Sequence, residues 1–220
     1  MIMLCKNIFL DLDGTLTDSG EGIMNSVAYS LRKFGIEETN REKLRTFIGP
    51  PLIASYMREY GFNHEKAILA VEYYREYFAP KGIYENSVYE GIPELLGDLR
   101  LAGAKLYLAT SKPEPYATEI VNHFGLSEYL DGLFGSTMTE ERTKKEDVIA
   151  YALEKTNIDK ADVVMIGDRN HDIIGAAKNG VASIGVLFGY GDRAELEGAG
   201  ADYIAATVEE LRQILFMEER

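Results

Sequence analysis

The fold of this chain is decided by one segment near its start, Ile8-Phe9-Leu10-Asp11-Leu12-Asp13-Gly14-Thr15. Apolar, strand-forming residues lead directly into two aspartates, and a Gly-Thr turn follows. Residues two apart on a strand share a face, so both carboxylates can converge at the carboxyl end of the strand, where open α/β sheets bind their ligands. Two such acids can form a site for a hard cation and can divide nucleophilic and proton-transfer roles.

Two simpler interpretations of this segment are a solvated loop and a calcium-binding loop. Short motifs such as Asp-x-Asp occur often by chance, so this motif alone favours the solvated loop. A calcium loop has an acid or amide at its fifth position and Gly at its sixth. Here those positions hold Thr15 and Leu16, which excludes the calcium loop.

Composition limits the possible partners and the compartment. The formal charge is -13 over 220 residues, which argues against nucleic acid or an anionic membrane surface as the main partner. Cys5 is the only cysteine, so neither a disulfide framework nor a cysteine metal cluster is expected. The residues before the first strand are too few for a signal peptide, and no apolar run is long enough to span a membrane. These features predict a cytoplasmic protein.

Further strand-like runs alternate with helical patterns along the chain. They end at Ala109, near Phe134, at Ile166 and near Val186, and residues 201–205 form a possible last short strand. This alternation predicts a Rossmann-like α/β core, in which helices cover both faces of a parallel sheet.

The segment between the first two strands has helical patterns only. Ile23, Val27 and Leu31 follow a helical period, and Thr39-Asn40-Arg41-Glu42 fits a capping box at the start of a second helix. Asn63 is the expected cap of a long third helix. We therefore predict an all-helical cap domain at residues 18–83, inserted into a core formed by residues 1–17 and 84–220.

Polar residues also follow the second strand and precede a later helix. Thr110 and Ser111 come directly after the strand that ends at Ala109, where a hydroxyl and backbone N–H groups can hold a phosphate oxygen. Lys144 and Lys145 lie at the start of a predicted helix, where the helix dipole already favours anions. A local cap at Thr110 and a solvated lysine pair are the structural alternatives.

Two more acids follow the strand that ends at Ile166. Asp168 can complete a set of oxygen ligands with Asp11, and Mg²⁺ suits such a site because it takes few protein carboxylates. Asp172 has a simpler possible role as the cap of the next helix. Because the carboxyl ends of parallel strands meet at one edge of the sheet, we expect all these groups to form a single site.

With these motifs in place, the chain resembles the haloacid dehalogenase (HAD) superfamily over essentially its whole length. It is most similar to the phosphatases with a helical cap, and in particular to the phosphoglycolate phosphatase-like group. The resemblance implies that Asp11 is the nucleophile and Asp13 the acid/base. It also implies an Mg²⁺ ion held by Asp11, the Asp13 carbonyl and Asp168. The other residues that the resemblance assigns bind the phosphate or orient its ligands: Thr110, Ser111, Lys145 (with Lys144 as the alternative) and Asp172.

The resemblance extends to a loop of the cap. Residues Arg45 to Leu52, Arg-Thr-Phe-Ile-Gly-Pro-Pro-Leu, are similar to the cap loop that faces the active site in this group. This implies that Arg45 and Gly49 contribute to substrate specificity, with Arg45 binding a substrate carboxylate. A salt bridge to Glu42 is the alternative role of Arg45.

Departures from related groups narrow the predicted activity. Dehalogenases and phosphonatases of the superfamily lack the second acid, which is present here as Asp13, and Ile23 falls near the place where sugar phosphomutases carry a cap histidine. The prediction is therefore an Mg²⁺-dependent phosphatase, monomeric or dimeric, that acts on a small phosphorylated metabolite such as phosphoglycolate, a nucleotide or a sugar phosphate. The alternatives are a phosphomutase or phosphotransferase of the same superfamily and a non-catalytic regulatory relative.

Overall fold

The structure, a computed structural model, describes residues 5–139 and 141–216. The chain divides into two compact units, one formed by Met1–Thr17 with Val88–Arg220 and the other by Asp18–Ser87. The predicted insertion ended at residue 83, whereas the second unit continues to Ser87. The reason is that Glu85 still bonds within this unit: its carbonyl accepts the Gly22 N–H at 3.1 Å and its carboxylate accepts from Asn25 at 2.8 Å. The roles of core and cap stay predictions.

The strands fall into two sheets. In chain order they are β1 (Asn7–Leu10), β2 (Thr17–Asp18), β3 (Ser87–Val88), β4 (Lys105–Pro113), β5 (Gly132–Ser136), β6 (Val163–Gly167), β7 (Ala182–Val186) and β8 (Tyr203–Ala205). Six strands form one sheet in the order β5-β4-β1-β6-β7-β8, with parallel pairing throughout. The short strands β2 and β3 pair with each other. The larger sheet confirms the predicted Rossmann-like α/β core.

The helices of the first unit cover this sheet. They are α5 (Ile92–Leu101), α6 (Glu114–His123), α7 (Lys145–Thr156), α8 (Asn170–Asn179), α9 (Arg193–Ala199) and α10 (Val208–Leu215), numbered after the four helices of the other unit. Phe9 of β1 and Met165 of β6 are fully buried against Val148 of α7. Strands covered on both faces become almost continuously apolar, which is why the runs at the sheet centre could be found in the sequence.

The second unit is helical apart from the strand residues at its two ends. It contains α1 (Gly20–Arg32), α2 (Arg41–Arg45), α3 (Leu52–Tyr60), α4 (His64–Phe78) and a short 3₁₀ turn at Gly82–Tyr84. Two buried contacts illustrate its packing: Ser30 Oγ donates to the Ala70 carbonyl at 2.7 Å, and the rings of Phe47 and Tyr56 meet edge to face. No helix in the described ranges 5–139 and 141–216 is both long and apolar enough to cross a lipid bilayer.

The caps of two helices in this unit were predicted from the sequence. Asn63 caps α4 as expected, because its side-chain oxygen accepts the Lys66 N–H at 2.9 Å. The capping box at Thr39 was wrong by one residue, since Asn40 is the cap and accepts the Glu42 N–H at 3.1 Å. An Asn oxygen reaches the second and third N–H groups of a helix at least as well as a Thr hydroxyl, so the adjacent Thr-Asn pair left the register ambiguous.

Candidate active site

The two acids of the opening motif lie at the carboxyl end of β1, in the centre of the sheet. Asp11 is buried, and its backbone N–H donates to the Ile166 carbonyl of β6 at 2.9 Å. Gly14 turns the chain with φ 84°, a conformation that residues with a Cβ rarely adopt. A Cβ at Gly14 would also overlap the Asp168 carboxylate. Glycine at this position therefore lets the β1 and β6 ends approach closely.

Lys145 joins two of the acids in a buried ion cluster. Its Nζ lies 2.7 Å from Asp11 Oδ1 and 2.8 Å from Asp172 Oδ1, and it donates to the Ala109 carbonyl of β4 at 3.0 Å. Lys144, which the sequence left as the alternative, is exposed at the cap position before α7. The helix begins at Lys145 and directs that side chain inward, so the structure brings Lys145 and not Lys144 to the acids.

Asp172 combines the two roles that the sequence analysis left open. Its Oδ2 accepts the Arg169 N–H at 3.1 Å and so caps the start of α8, while its Oδ1 pairs with Lys145. Both oxygens therefore have partners within the first unit. This geometry agrees with a residue that orients Lys145.

Asp168 is enclosed by a loop that the sequence analysis missed. Its side chain is fully buried, its Oδ2 accepts the Tyr190 N–H at 2.8 Å, and a Cβ at Gly189 would overlap the carboxylate. A Gly-Tyr-Gly stretch shortly after β7 was the available signal, because that strand ends at the same edge of the sheet. Among the described residues, Asp168 Oδ1 has no hydrogen-bond partner.

The acid cluster fits a hard cation. Carboxylate oxygens of Asp11, Asp168 and Asp172 all lie within 4.8 Å of one another. Burial raises the pKa of Asp11 to about 6, against the opposing effect of Lys145, and burial together with Asp172 and Asp11 raises the pKa of Asp168 well above its usual range. A cation at the unpartnered Asp168 Oδ1 would offset the cost of burying these negative charges. A donor set made only of oxygens suits Mg²⁺. The sequence had proposed the Asp13 carbonyl as the third ligand, and that assignment stays a prediction.

The end of β4 carries a third group of site residues. Thr110 is buried, Ser111 is half-buried, and Thr110 Oγ1 accepts the Lys112 N–H at 3.2 Å. Lys112 Nζ lies 2.8 Å from Asp13 Oδ1 and 2.6 Å from Asp13 Oδ2. The sequence analysis assigned no role to Lys112, which lies near the end of β4.

The two predicted specificity residues belong to the other unit. Arg45 is the exposed last residue of α2, and Gly49 has φ 101° in the following turn. Their contribution to substrate binding stays a prediction.

Known proteins similar to this chain support the same class of site. Residues 8–186 match the family of haloacid dehalogenase-like hydrolases. A 5'-nucleotidase of Pseudomonas aeruginosa is 46% identical over 209 residues, which cover 95% of this chain and 95% of the relative. Tyrosine-protein kinase PtkA of Mycobacterium tuberculosis is 37% identical over 94% of this chain and 72% of the relative. A phosphoglycolate phosphatase of Vibrio parahaemolyticus is 25% identical over 96% of both chains.

A solved structure shows the same fold, and the family match gives the class of protein. The crystal structure of a protein described as a predicted phosphatase from Clostridium acetobutylicum superposes with a TM-score of 0.93 at 49% identity, covering 96% of this chain and 97% of that chain. The chain belongs to the haloacid dehalogenase-like hydrolases, since the family match spans residues 8–186. Within that family it is a phosphomonoester hydrolase of the phosphatase branch, which confirms the enzyme class predicted from the sequence.

The raised pKa of Asp168 predicts a pH-dependent effect on stability. Its folded-state pKa lies well above the usual 3.8, so the folded state binds the proton more tightly than the unfolded state. The stability that this group contributes is present below about pH 4 and is lost as pH rises through the folded pKa. Asp168→Asn, which cannot ionise, should therefore have a larger free energy of unfolding than the wild type, by an amount that increases as pH rises from about 4 toward neutral. Urea unfolding in chelator would measure this, and a pH-independent difference would contradict it.

Proposed function

We propose that this protein is an Mg²⁺-dependent phosphatase that hydrolyses small phosphomonoesters through an aspartyl phosphate on Asp11. The observation that carries the proposal is the position of Asp11, which lies at the end of β1 in contact with Lys145 and beside Asp168. A buried carboxylate held by an ammonium group is placed to attack an electrophile without moving far.

Two aspartates carry out the bond-forming and proton-transfer steps of the proposed reaction. An Asp11 oxygen attacks phosphorus in line with the leaving oxygen, and the bond to that oxygen breaks as the acyl phosphate forms. Asp13 gives a proton to the leaving oxygen. Asp13 then takes a proton from the water that hydrolyses the acyl phosphate, which returns Asp11 to its carboxylate form and Asp13 to its protonated form.

The remaining site residues balance charge on the transferring group. In phosphoryl transfer, positioning and electrostatic stabilisation of the equatorial oxygens account for most of the catalysis. We assign this role to the Lys145 ammonium, the Thr110 hydroxyl and the Ser111 N–H, with Asp172 holding Lys145 in place.

A divalent cation is needed on electrostatic grounds. The site combines four carboxylates, those of Asp11, Asp13, Asp168 and Asp172, with the two ammonium groups of Lys112 and Lys145. With all of them ionised these six groups carry a net negative charge, which would repel a phosphate dianion. Mg²⁺ held by Asp11 and Asp168 would bring that net charge to zero and polarise the phosphoryl oxygens.

Nucleoside 5'-monophosphates are the first substrate class to test. The support is the 46% identity to a protein named 5'-nucleotidase, against 25% to one named phosphoglycolate phosphatase. Substrate choice resides in loops and not in the fold, so phosphoglycolate and sugar phosphates belong in the same panel.

The proposed function is tested by measuring inorganic phosphate release from that panel. We expect hydrolysis with Mg²⁺, a fall of at least about a hundredfold after chelation, since metal ions contribute several kcal/mol to such reactions, and recovery when Mg²⁺ is added back. Full activity in excess chelator would contradict the role of the metal. Inactivity toward every substrate would leave the non-catalytic relative as the better description.

Phosphotransfer is the second candidate, because a relative covering 94% of this chain is named a tyrosine-protein kinase. In this case the acyl phosphate on Asp11 would pass to a hydroxyl other than that of water. Incubation with ³²P-labelled nucleotide and a tyrosine-containing peptide distinguishes the two outcomes, since label would appear in phosphotyrosine instead of free phosphate. Activation by a sugar bisphosphate would instead indicate a mutase.

Arg45→Ala tests the predicted specificity role of α2. If the guanidinium binds a substrate carboxylate, the variant should lose about ten- to a hundredfold in kcat/KM for phosphoglycolate, since a charge-assisted bond of this kind is worth about 1.5–3 kcal/mol. 4-Nitrophenyl phosphate, which lacks a carboxylate, should be hydrolysed at the wild-type rate. The neighbouring exposed Arg41→Ala is a matched control, and equal losses for both substrates would make Arg45 a structural residue.

Other predicted properties rest on the sequence alone. A cytoplasmic location and a monomeric or dimeric state stay predictions, and size-exclusion chromatography with light scattering would measure the second.

A further inference from the structure

The ion pair between Lys112 and Asp13 has a geometry that a surface salt bridge lacks. The ammonium nitrogen lies within hydrogen-bond distance of both carboxylate oxygens, at 2.8 and 2.6 Å. The exposed fraction is 5% for the Lys112 side chain and 12% for the Asp13 side chain. A partner on both oxygens restricts rotation of the carboxylate about its own axis, and burial protects the pair from screening.

The backbone of β4 is shaped to place Lys112 there. Ala109 pairs with Phe134 and Pro113 with Ser136, so β4 uses two more residues than β5 between these pairs. Such a bulge at a strand end redirects side chains toward a site. Gly135 of β5 makes room for it, because a Cβ at that position would lie 2.7 Å from the Lys112 carbonyl oxygen.

We infer that Lys112 is a positioning residue that holds the Asp13 carboxylate in the orientation needed for proton transfer to the leaving oxygen and from the attacking water. The inference rests on the proposed function, in which Asp13 is the acid/base. Each carboxylate oxygen can accept more than one hydrogen bond, so the contact with Lys112 leaves sites on Asp13 for the leaving oxygen and for water. The same contact with Lys112 orients Asp13 in both proton-transfer steps, because the same carboxylate gives and takes the proton.

A series of aryl phosphates with leaving groups of graded acidity separates this role from simple charge balance. A phenolate that is stable without a proton needs little help from Asp13, whereas a more basic phenolate needs much. Lys112→Met should therefore lower kcat/KM about 30- to 100-fold for phenyl phosphate and about threefold or less for 4-nitrophenyl phosphate. Because kcat/KM ends at the first irreversible step, later hydrolysis of the acyl phosphate does not enter this comparison.

Two reference variants set the scale. Lys145→Met removes a cation that acts on the phosphoryl group shared by all the substrates, so it should lower the whole series by a similar factor. Lys144→Met removes an exposed lysine and should leave the series unchanged. Lys112→Gln retains a neutral hydrogen-bond donor on a side chain one atom shorter, and we expect its loss for phenyl phosphate to be smaller than that of Lys112→Met. Thermal unfolding of each variant checks that it is folded, and Lys112→Gln decides the test if Lys112→Met does not fold.

A double-mutant cycle checks that Lys112 acts through Asp13. In the Asp13→Asn background, Lys112→Met should change kcat/KM by less than about threefold for any member of the series, because coupled residues are non-additive. Equal loss across the series in the single variant, or a full further loss in the double variant, would overturn the inference while the wild type remained an active phosphatase. An inactive wild type would instead overturn the proposed function and this inference with it.

Discussion

Asp11→Asn is expected to reduce phosphatase activity to background, a loss of about 10⁴-fold or more, equivalent to over 5 kcal/mol of transition-state stabilisation. The amide keeps the shape of the side chain but is not a nucleophile. The variant should still fold, because the Asp11 backbone bond to Ile166 does not involve the side chain. Phosphate release from 4-nitrophenyl phosphate, with circular dichroism as the check on folding, measures this effect.

Trapping the intermediate gives an independent measurement. Rapid quench of the wild type with ³²P-labelled substrate should leave acid-stable, alkali-labile label on the peptide that contains Asp11, and none on Asp11→Asn. Asp13→Asn is the matched control, because it alters an acid two residues away that we do not expect to carry the phosphoryl group. Label on another peptide, or normal turnover by Asp11→Asn, would show that the nucleophile is a different residue.

Lys145→Met should lower both activity and stability. The Lys145 ammonium is buried between Asp11 and Asp172, and although burial alone would lower its pKa, these two carboxylates raise it. Removing one member of a buried ion cluster typically costs about 3–5 kcal/mol of stability because it leaves uncompensated charge. We expect kcat/KM to fall by about 10²–10³, as when one electrostatic stabiliser of the transition state is lost.

The double variant Lys145→Met/Asp172→Asn separates the effect on activity from the effect on stability. In Lys145→Met/Asp172→Asn one uncompensated carboxylate is gone, so urea unfolding should show that part of the lost stability is restored. Activity should not recover, because the cation that we propose stabilises the transferring phosphoryl group is still missing. If activity returned together with stability, Lys145 would be a purely structural residue.

The parts of the fold that could be predicted are the buried strands, where an apolar run in the sequence marks the element directly. β1 and β6 are apolar runs followed directly by acids, so Asp11 and Asp168 could be placed at one edge before any coordinates. Helix α9 went unpredicted, because it has only seven residues and gives little periodicity to detect.

The parts of the site that could not be predicted depend on local backbone geometry. Lys112, which contacts Asp13, lies in the bulged part of β4, and a bulge has no reliable signature in a single sequence. The choice between Lys144 and Lys145 depended on the residue at which α7 begins, and helix boundaries predicted from sequence are uncertain by a few residues. The loop around Asp168 was missed because its contact is made by the Tyr190 backbone N–H, which any residue except proline could supply.

The inserted segment starts and finishes on neighbouring strands, since β2 and β3 pair with each other. The 70 residues of the insertion therefore form one closed loop as far as the first unit is concerned. The entropic cost of closing a loop grows only slowly with its length, so the length of this segment has little effect on the stability of the first unit. We therefore expect that such a segment can be replaced as a unit. If Arg45 contributes to specificity as proposed, recombination at β2 and β3 could change the substrate by exchange of a whole block instead of by successive point mutations.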